Sequence, residues 1–150
     1  LLGEGAVELP EGEFNAAFNP EAVVKVTDVL LASHENTAQI IDARPATRFN
    51  AEVDEPRPGL RRGHIPGALN VPWTELVREG ELKTTDELDA IFFGRGVSYD
   101  KPIIVSCGSG VTAAVVLLAL ATLDVTNVKL YDGAWSEWGA RADLPVEPVK

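Results

Sequence analysis

The 150-residue chain has no methionine and a single cysteine, Cys107. One thiol cannot form an internal disulfide, which agrees with a reducing compartment. It also leaves no resolving thiol in the chain, so anything loaded on that sulfur must depart to an outside acceptor. The missing methionine suggests a processed piece of a longer protein. Long apolar runs are lacking too: the longest, Ala113 to Leu123 with Thr122 inside it, is too short to cross a bilayer, and no signal-peptide pattern opens the chain. The expectation is a cytoplasmic protein without a membrane partner. Positive charge is scarce, with 13 Lys and Arg against 23 Asp and Glu and a net charge of -10. That balance opposes nucleic acid as a main partner, and a small anionic substrate then needs a local basic pocket.

What is present fits one domain with a sizeable core, since 45% of residues are apolar and 24% charged. Short β-branched runs alternate with helix-compatible segments, and no internal repeat interrupts them. This predicts an α/β domain with a mostly parallel central sheet and helices on both faces. Sites in such sheets form outside the carboxyl ends of the strands. Asp42, Cys107 and Asp132 all fall at expected strand ends, so the loops after them are expected to meet at one rim.

The stretch from Ile103 to Leu118 carries the chemistry. It reads strand, loop, helix, with the cysteine where the strand ends and its sulfur expected at the mouth of the loop. Gly108 and Gly110 let the backbone curl, and the following helix N-terminus adds free N–H donors and a positive dipole end, a combination that favours a thiolate. Ser109 and Thr112 add hydroxyls beside the sulfur. From these residues alone a second reading stays open, in which Cys107 is a small buried hydrophobe.

Elsewhere, Asn19-Pro20-Glu21 reads as a helix start leading into Val23 through Leu30, with His34 a solvated residue near the end. A strand Gln39 to Asp42 precedes a long segment, Ala43 to Gly63, rich in proline and carrying Arg44, Arg48, Arg57, Arg61 and Arg62. Loops of that length are usually functional. Arg44 is the expected ion-pair partner of Asp42, Asp54 or Glu55 offers a rim salt bridge to any of these arginines, and Arg61 and Arg62 read as surface. Leu69 to Val71 is expected as a strand, Pro72 to Glu79 as a short helix or turn ended by Gly80, and Thr84 with Glu87 as a capping box opening a helix through Phe93.

Cys107-Gly108-Ser109-Gly110-Val111-Thr112-Ala113 resembles the active-site loop of the rhodanese superfamily of sulfurtransferases, and within it the 3-mercaptopyruvate sulfurtransferases. Asp42-Ala43-Arg44, the run Gly63 to Ala68 and the run Tyr131 to Trp138 agree, in the family's order, from about Asn19 to the end. The resemblance implies a rhodanese-like domain over residues 19–150, the catalytic half of a tandem enzyme, with residues 1–18 as a linker or arm and an N-terminal rhodanese domain as the missing partner. It implies that Cys107 is the nucleophile, helped by Ser109, within a loop of Gly108, Gly110, Val111 and Thr112. Arg48 and Arg57 match the pair that holds the substrate's carboxylate and keto oxygens, a task the guanidinium fork suits. His64 matches a residue that braces backbone.

The implied reaction moves a sulfane sulfur from 3-mercaptopyruvate through a Cys107 persulfide to cyanide or a thiol such as reduced thioredoxin, and releases pyruvate. No metal or organic cofactor is called for. Thiosulfate-preferring members carry cationic side chains just after the cysteine, where Gly108 and Ser109 stand here. The alternatives are a thiosulfate sulfurtransferase and a non-enzymatic sulfur-relay or regulatory module. A related phosphatase needs an arginine six residues past the cysteine, and that position is Ala113.

Overall fold

β-branched residues supply the strands at the centre of the fold. A computed structural model describes residues 12–148. In it Gln39–Asp42 (β1), Leu69–Asn70 (β2), Ile103–Ser106 (β5) and Val128–Leu130 (β6) form one parallel sheet in the order β2-β1-β5-β6. Alternate side chains leave a strand on opposite faces, and both faces here are apolar. Ile41, Ile103 and Val105 pack with Leu88 and Phe92 of helix α3 (Thr85–Gly94) and Val116 and Leu120 of α4 (Ala113–Thr122). Ile40 and Ile104 face the other way, with Val29 and Ala32 of α1 (Val26–Glu35) and Trp135 and Trp138 of α5 (Ala134–Trp138). The expected parallel sheet with helices on both faces is therefore present.

Two local expectations are corrected. The helix expected from Asn19 is broken into a 3-10 turn, Pro20–Ala22, and α1, with Val23 between them bridged to Leu130. Asn19 does accept from the Glu21 amide at 3.0 Å, but Val24 N–H donates to the Leu130 carbonyl at 2.8 Å, so the sheet edge captures the valines and the helix restarts after them. Gly80 does not end a helix. A 3-10 turn at Trp73–Glu75 leads instead into a small antiparallel hairpin of Val77–Arg78 (β3) and Glu81–Leu82 (β4), whose turn is Glu79–Gly80. Both turn residues have positive φ, 55° and 87°, the backbone a tight hairpin requires.

The capping box is present: the Thr84 amide donates to the Glu87 carboxylate at 3.0 Å, and the Glu87 amide donates back to the Thr84 hydroxyl at 3.4 Å. The Ala43-to-Gly63 segment is ordered by a short helix, Ala46–Phe49 (α2), whose Phe49 ring stacks on His64 at 3.6 Å. His64 Nδ1 donates to the Phe49 carbonyl at 2.7 Å, so the histidine does brace backbone. His34 is exposed in the last turn of α1. Of the expected N-terminal arm, residues 12–18 form no helix or strand, and residues 1–11 lie outside the described residues. Among the described residues no helix is long and apolar enough to cross a membrane.

Candidate active site

Because β1, β5 and β6 run parallel, their carboxyl ends open on one rim, and the loops carrying Arg44, Cys107 and Asp132 follow from it. Cys107 leaves β5 and the chain turns through Gly108 to Thr112 into α4. Gly110 makes that turn at φ 83°, and a Cβ there would lie 2.6 Å from Asp132 Oδ1. Two successive carbonyls of the loop are tied outward: Cys107 C=O accepts from the Trp135 amide at 2.9 Å, and Gly108 C=O from the Ser136 amide at 3.0 Å. A trans peptide holds C=O and N–H on opposite sides. The Gly108 and Ser109 N–H groups therefore point the other way, and among the described residues the amides of Gly108, Ser109, Gly110, Val111 and Thr112 find no protein acceptor. Unpaired main-chain donors in succession are the raw material of an anion-binding concavity.

The sulfur is deeper than expected. Cys107 is 1% exposed and belongs to the apolar cluster that includes Ala43, Val105 and Ala113. The cause is strand alternation: Ile103, Val105 and Cys107 share a face, so the side chain packs into the cluster that includes Ala113 and Val116 of α4 rather than at the mouth of the loop, and Cys107 is not among the residues that line the cleft. The packed position expected of a small buried hydrophobe is observed, and the residue also begins the loop whose amides lack protein acceptors among the described residues. Ser109 and Thr112 line a cleft at the loop, and neither hydroxyl makes an intramolecular hydrogen bond among the described residues. Val111 is exposed.

Arg48 and Arg57 come to the same cleft, a cavity of about 220 Å³ that Gly108, Ser109, Thr112, Glu55, Pro56 and Leu60 also line. A Cβ on Gly108 would lie 2.8 Å from Arg48 Nη2, so that guanidinium rests against the loop backbone. Arg48 donates from Nε and Nη2 to the carboxylate of Glu55, which also receives Arg44 Nη1 at 2.8 Å. This side-on grip leaves Arg48 Nη1 unengaged. Arg57 donates from Nη1 to the Ser136 hydroxyl at 2.8 Å, and that hydroxyl donates to the Gly108 carbonyl at 2.6 Å.

Arg44 is fully buried and binds Asp42 at 2.6 Å, as expected, while lying over the Trp135 ring at 4.3 Å. Arg44 and Arg48 thus pair with the carboxylates of Asp42 and Glu55, while Arg57 is held by a neutral hydroxyl and, among the described residues, brings an unpaired positive charge to the cleft. Arg62 pairs with Asp54 on the surface. Arg61 is a correction: it does not sit free on the surface but its side chain donates to the carbonyls of Trp138, Gly139, Arg141 and Leu144 after α5, the first three of which also accept a main-chain N–H. Sequence reasoning missed Ser136 altogether and gave Glu55 only a rim role. The position of Glu55 between Arg48 and Arg57 was the available signal for it, whereas nothing in the sequence marks Ser136.

A family model for the rhodanese-like domain matches residues 25–141, a span that contains the Cys107 loop, the arginine segment and α5. The chain belongs to the rhodanese-like domain family. This rhodanese domain is 98% identical over all its 150 residues to 3-mercaptopyruvate sulfurtransferase of Escherichia coli K12, of which it covers 53%. It is 38% identical over 142 residues to the mouse 3-mercaptopyruvate sulfurtransferase, covering 94% of the chain and 48% of that protein. The crystal structure of SseA from Escherichia coli, described as a rhodanese fold of the 3-mercaptopyruvate sulfotransferases, superposes with a TM-score of 0.76 at 95% identity, over 91% of this chain and 51% of that one. The rhodanese domain thus spans about half the length of the curated relatives it matches.

Proposed function

We propose that this domain is the catalytic half, over residues 19–150, of a tandem 3-mercaptopyruvate sulfurtransferase, with residues 1–18 joining it to an N-terminal rhodanese domain. One observation carries the reading: Arg48 and Arg57 line the same small cleft as Gly108, Ser109 and Thr112 of the Cys107 loop. The names of the half-matched relatives support the same donor. A 2-oxo acid bearing a thiol needs cations for its carboxylate and an anion cradle for the transferred sulfur, and the cleft offers both.

In the first step the Cys107 thiolate attacks the thiol sulfur of 3-mercaptopyruvate. An S–S bond forms, the donor's C–S bond breaks, and the electron pair stays on carbon as the enolate of pyruvate. The thiol proton ends on that carbon, so pyruvate leaves and a persulfide anion remains on Cys107. Arg48 Nη1 and Arg57 hold the carboxylate and keto oxygens, stabilising the enolate as it forms. Ser109 stands at the cleft wall to hydrogen-bond the departing group. The loop amides, without protein acceptors among the described residues, are available to hydrogen-bond the persulfide anion as it forms. In the second step cyanide, or a thiol such as reduced thioredoxin, attacks the outer sulfur, forms a new bond to it and returns the electron pair to Cys107. Such double displacement gives ping-pong kinetics. We place the reaction in the cytoplasm.

Sulfur transfer to cyanide, measured with 3-mercaptopyruvate and with thiosulfate as donors, tests the reading. Higher kcat/KM with 3-mercaptopyruvate is expected, together with pyruvate formed in equal amount to thiocyanate. A preference for thiosulfate would assign the domain to the alternative sulfurtransferase class, and turnover with neither donor would favour a relay module.

A further inference from the structure

We propose, on the reading of the cleft as the donor site, that Ser136 is a positioning residue that ties Arg57 to the Cys107 loop and so sets the preference for a carboxylate-bearing sulfur donor. Arg57 sits on an exposed, proline-flanked stretch, and among the described residues its guanidinium has Ser136 as its hydrogen-bond partner. An arginine side chain has about 2 kcal/mol of rotamer entropy to lose, so a cation left loose there would meet a carboxylate at a penalty.

The direction of the bonds is fixed by chemistry. A carbonyl only accepts and a guanidinium only donates, so the Ser136 hydroxyl gives its proton to Gly108 C=O at 2.6 Å and accepts from Arg57 Nη1 at 2.8 Å. One oxygen thereby sets the distance between the carboxylate-binding cation and the Gly108–Ser109 peptide of the Cys107 loop. Its own backbone is rigid, because Trp135 and Trp138 on either side are buried. The Ser136 amide also donates to Gly108 C=O, at 3.0 Å. Loss of the hydroxyl therefore leaves the loop peptide tied by the main chain and frees Arg57 alone.

Thiosulfate has no carboxylate to orient, so the two donors should separate in Ser136→Ala. The readout is the gain of one sulfur on Cys107, followed by mass spectrometry at graded concentrations of each donor on the full chain. The ratio of loading efficiency for 3-mercaptopyruvate to that for thiosulfate is expected to fall about tenfold, the scale of one charge-assisted hydrogen bond. Most of the fall lies in the half-saturating 3-mercaptopyruvate concentration, and Ser136→Thr, which keeps the hydroxyl, restores it. In an Arg57→Ala background Ser136→Ala is expected to add nothing. An equal loss with both donors, additive effects in the double variant, or a silent Ser136→Ala beside a damaging Arg57→Ala would overturn the coupling. An Arg57→Ala variant with unchanged dependence on 3-mercaptopyruvate would instead contradict the donor-site reading itself.

Discussion

Replacing Gly108 by alanine should separate the fold from the site. The new Cβ would lie 2.8 Å from Arg48 Nη2 and 3.7 Å from Cζ and Nη1. Ordinary contact between such atoms is about 3.5 Å, so the guanidinium has to withdraw by roughly 0.7 Å. It cannot do so freely, because Glu55 grips it at Nε and Nη2. Gly108 is not in the left-handed backbone region, so alanine itself is tolerated and the stability loss should stay below about 1 kcal/mol, the far end of a side chain being what moves. The site bears the cost. A displaced Arg48 forfeits a charge-assisted hydrogen bond to the donor's carboxylate, about 1.5–3 kcal/mol, or roughly ten- to a hundredfold in kcat/KM. The check is steady-state sulfur transfer from 3-mercaptopyruvate to cyanide beside a thermal melt. Wild-type kcat/KM within twofold, with an unshifted melt, would refute the placement of Arg48 against the loop as a functional contact.

Glu55→Gln removes the buried carboxylate between Arg44 and Arg48, and because Arg44 keeps Asp42 the loss is expected near the lower end for a broken buried pair, about 3 kcal/mol by urea unfolding. Arg61→Ala leaves the Leu144 carbonyl without its donor, while those of Trp138, Gly139 and Arg141 keep their main-chain partners, and should cost about 1 kcal/mol, with faster hydrogen exchange confined to the segment from Trp138 to Leu144. The hydrogen bonds of Arg78, then of the Thr84 amide and hydroxyl, hold the exposed Glu87 carboxyl at about 2 instead of 4.5. A carboxylate lowered on folding stabilises above its unfolded value. The contribution is therefore lost as the pH falls from about 4.5 to about 2, and the first turn of α3 should loosen in that window. Carboxyl NMR of Glu87 reads the midpoint, and Glu87→Gln should remove the dependence.

The sheet was readable because its strands are short β-branched runs between helical segments, a pattern set by burial on both faces. The Thr84–Glu87 cap and the Asp42–Arg44 pair were also readable, since both are local in sequence. What failed was decided at long range. The valines after Pro20 carry helical spacing, and only the open edge of β6 drew Val23 and Val24 into extended pairing. Arg61 is separated by 77 positions from Trp138, so its anchoring cannot be read from its neighbours. The same holds for Ser136, whose hydroxyl meets Arg57 across 79 positions and Gly108 across 28. The depth of Cys107 was implied by strand alternation: extending the Ile103, Val105 face by one more step places the thiol on the α4 side.

Sulfur loading on Cys107 is the step on which the proposed transfer depends. Incubation of the chain with 3-mercaptopyruvate in the absence of acceptor, followed by mass spectrometry of the intact protein, is expected to show the gain of one sulfur, its location on the peptide containing Cys107, and its removal by cyanide. Cys107→Ser should show none of these. A sulfur adduct formed equally well on the serine variant, or pyruvate released by it at the wild-type rate, would contradict the account.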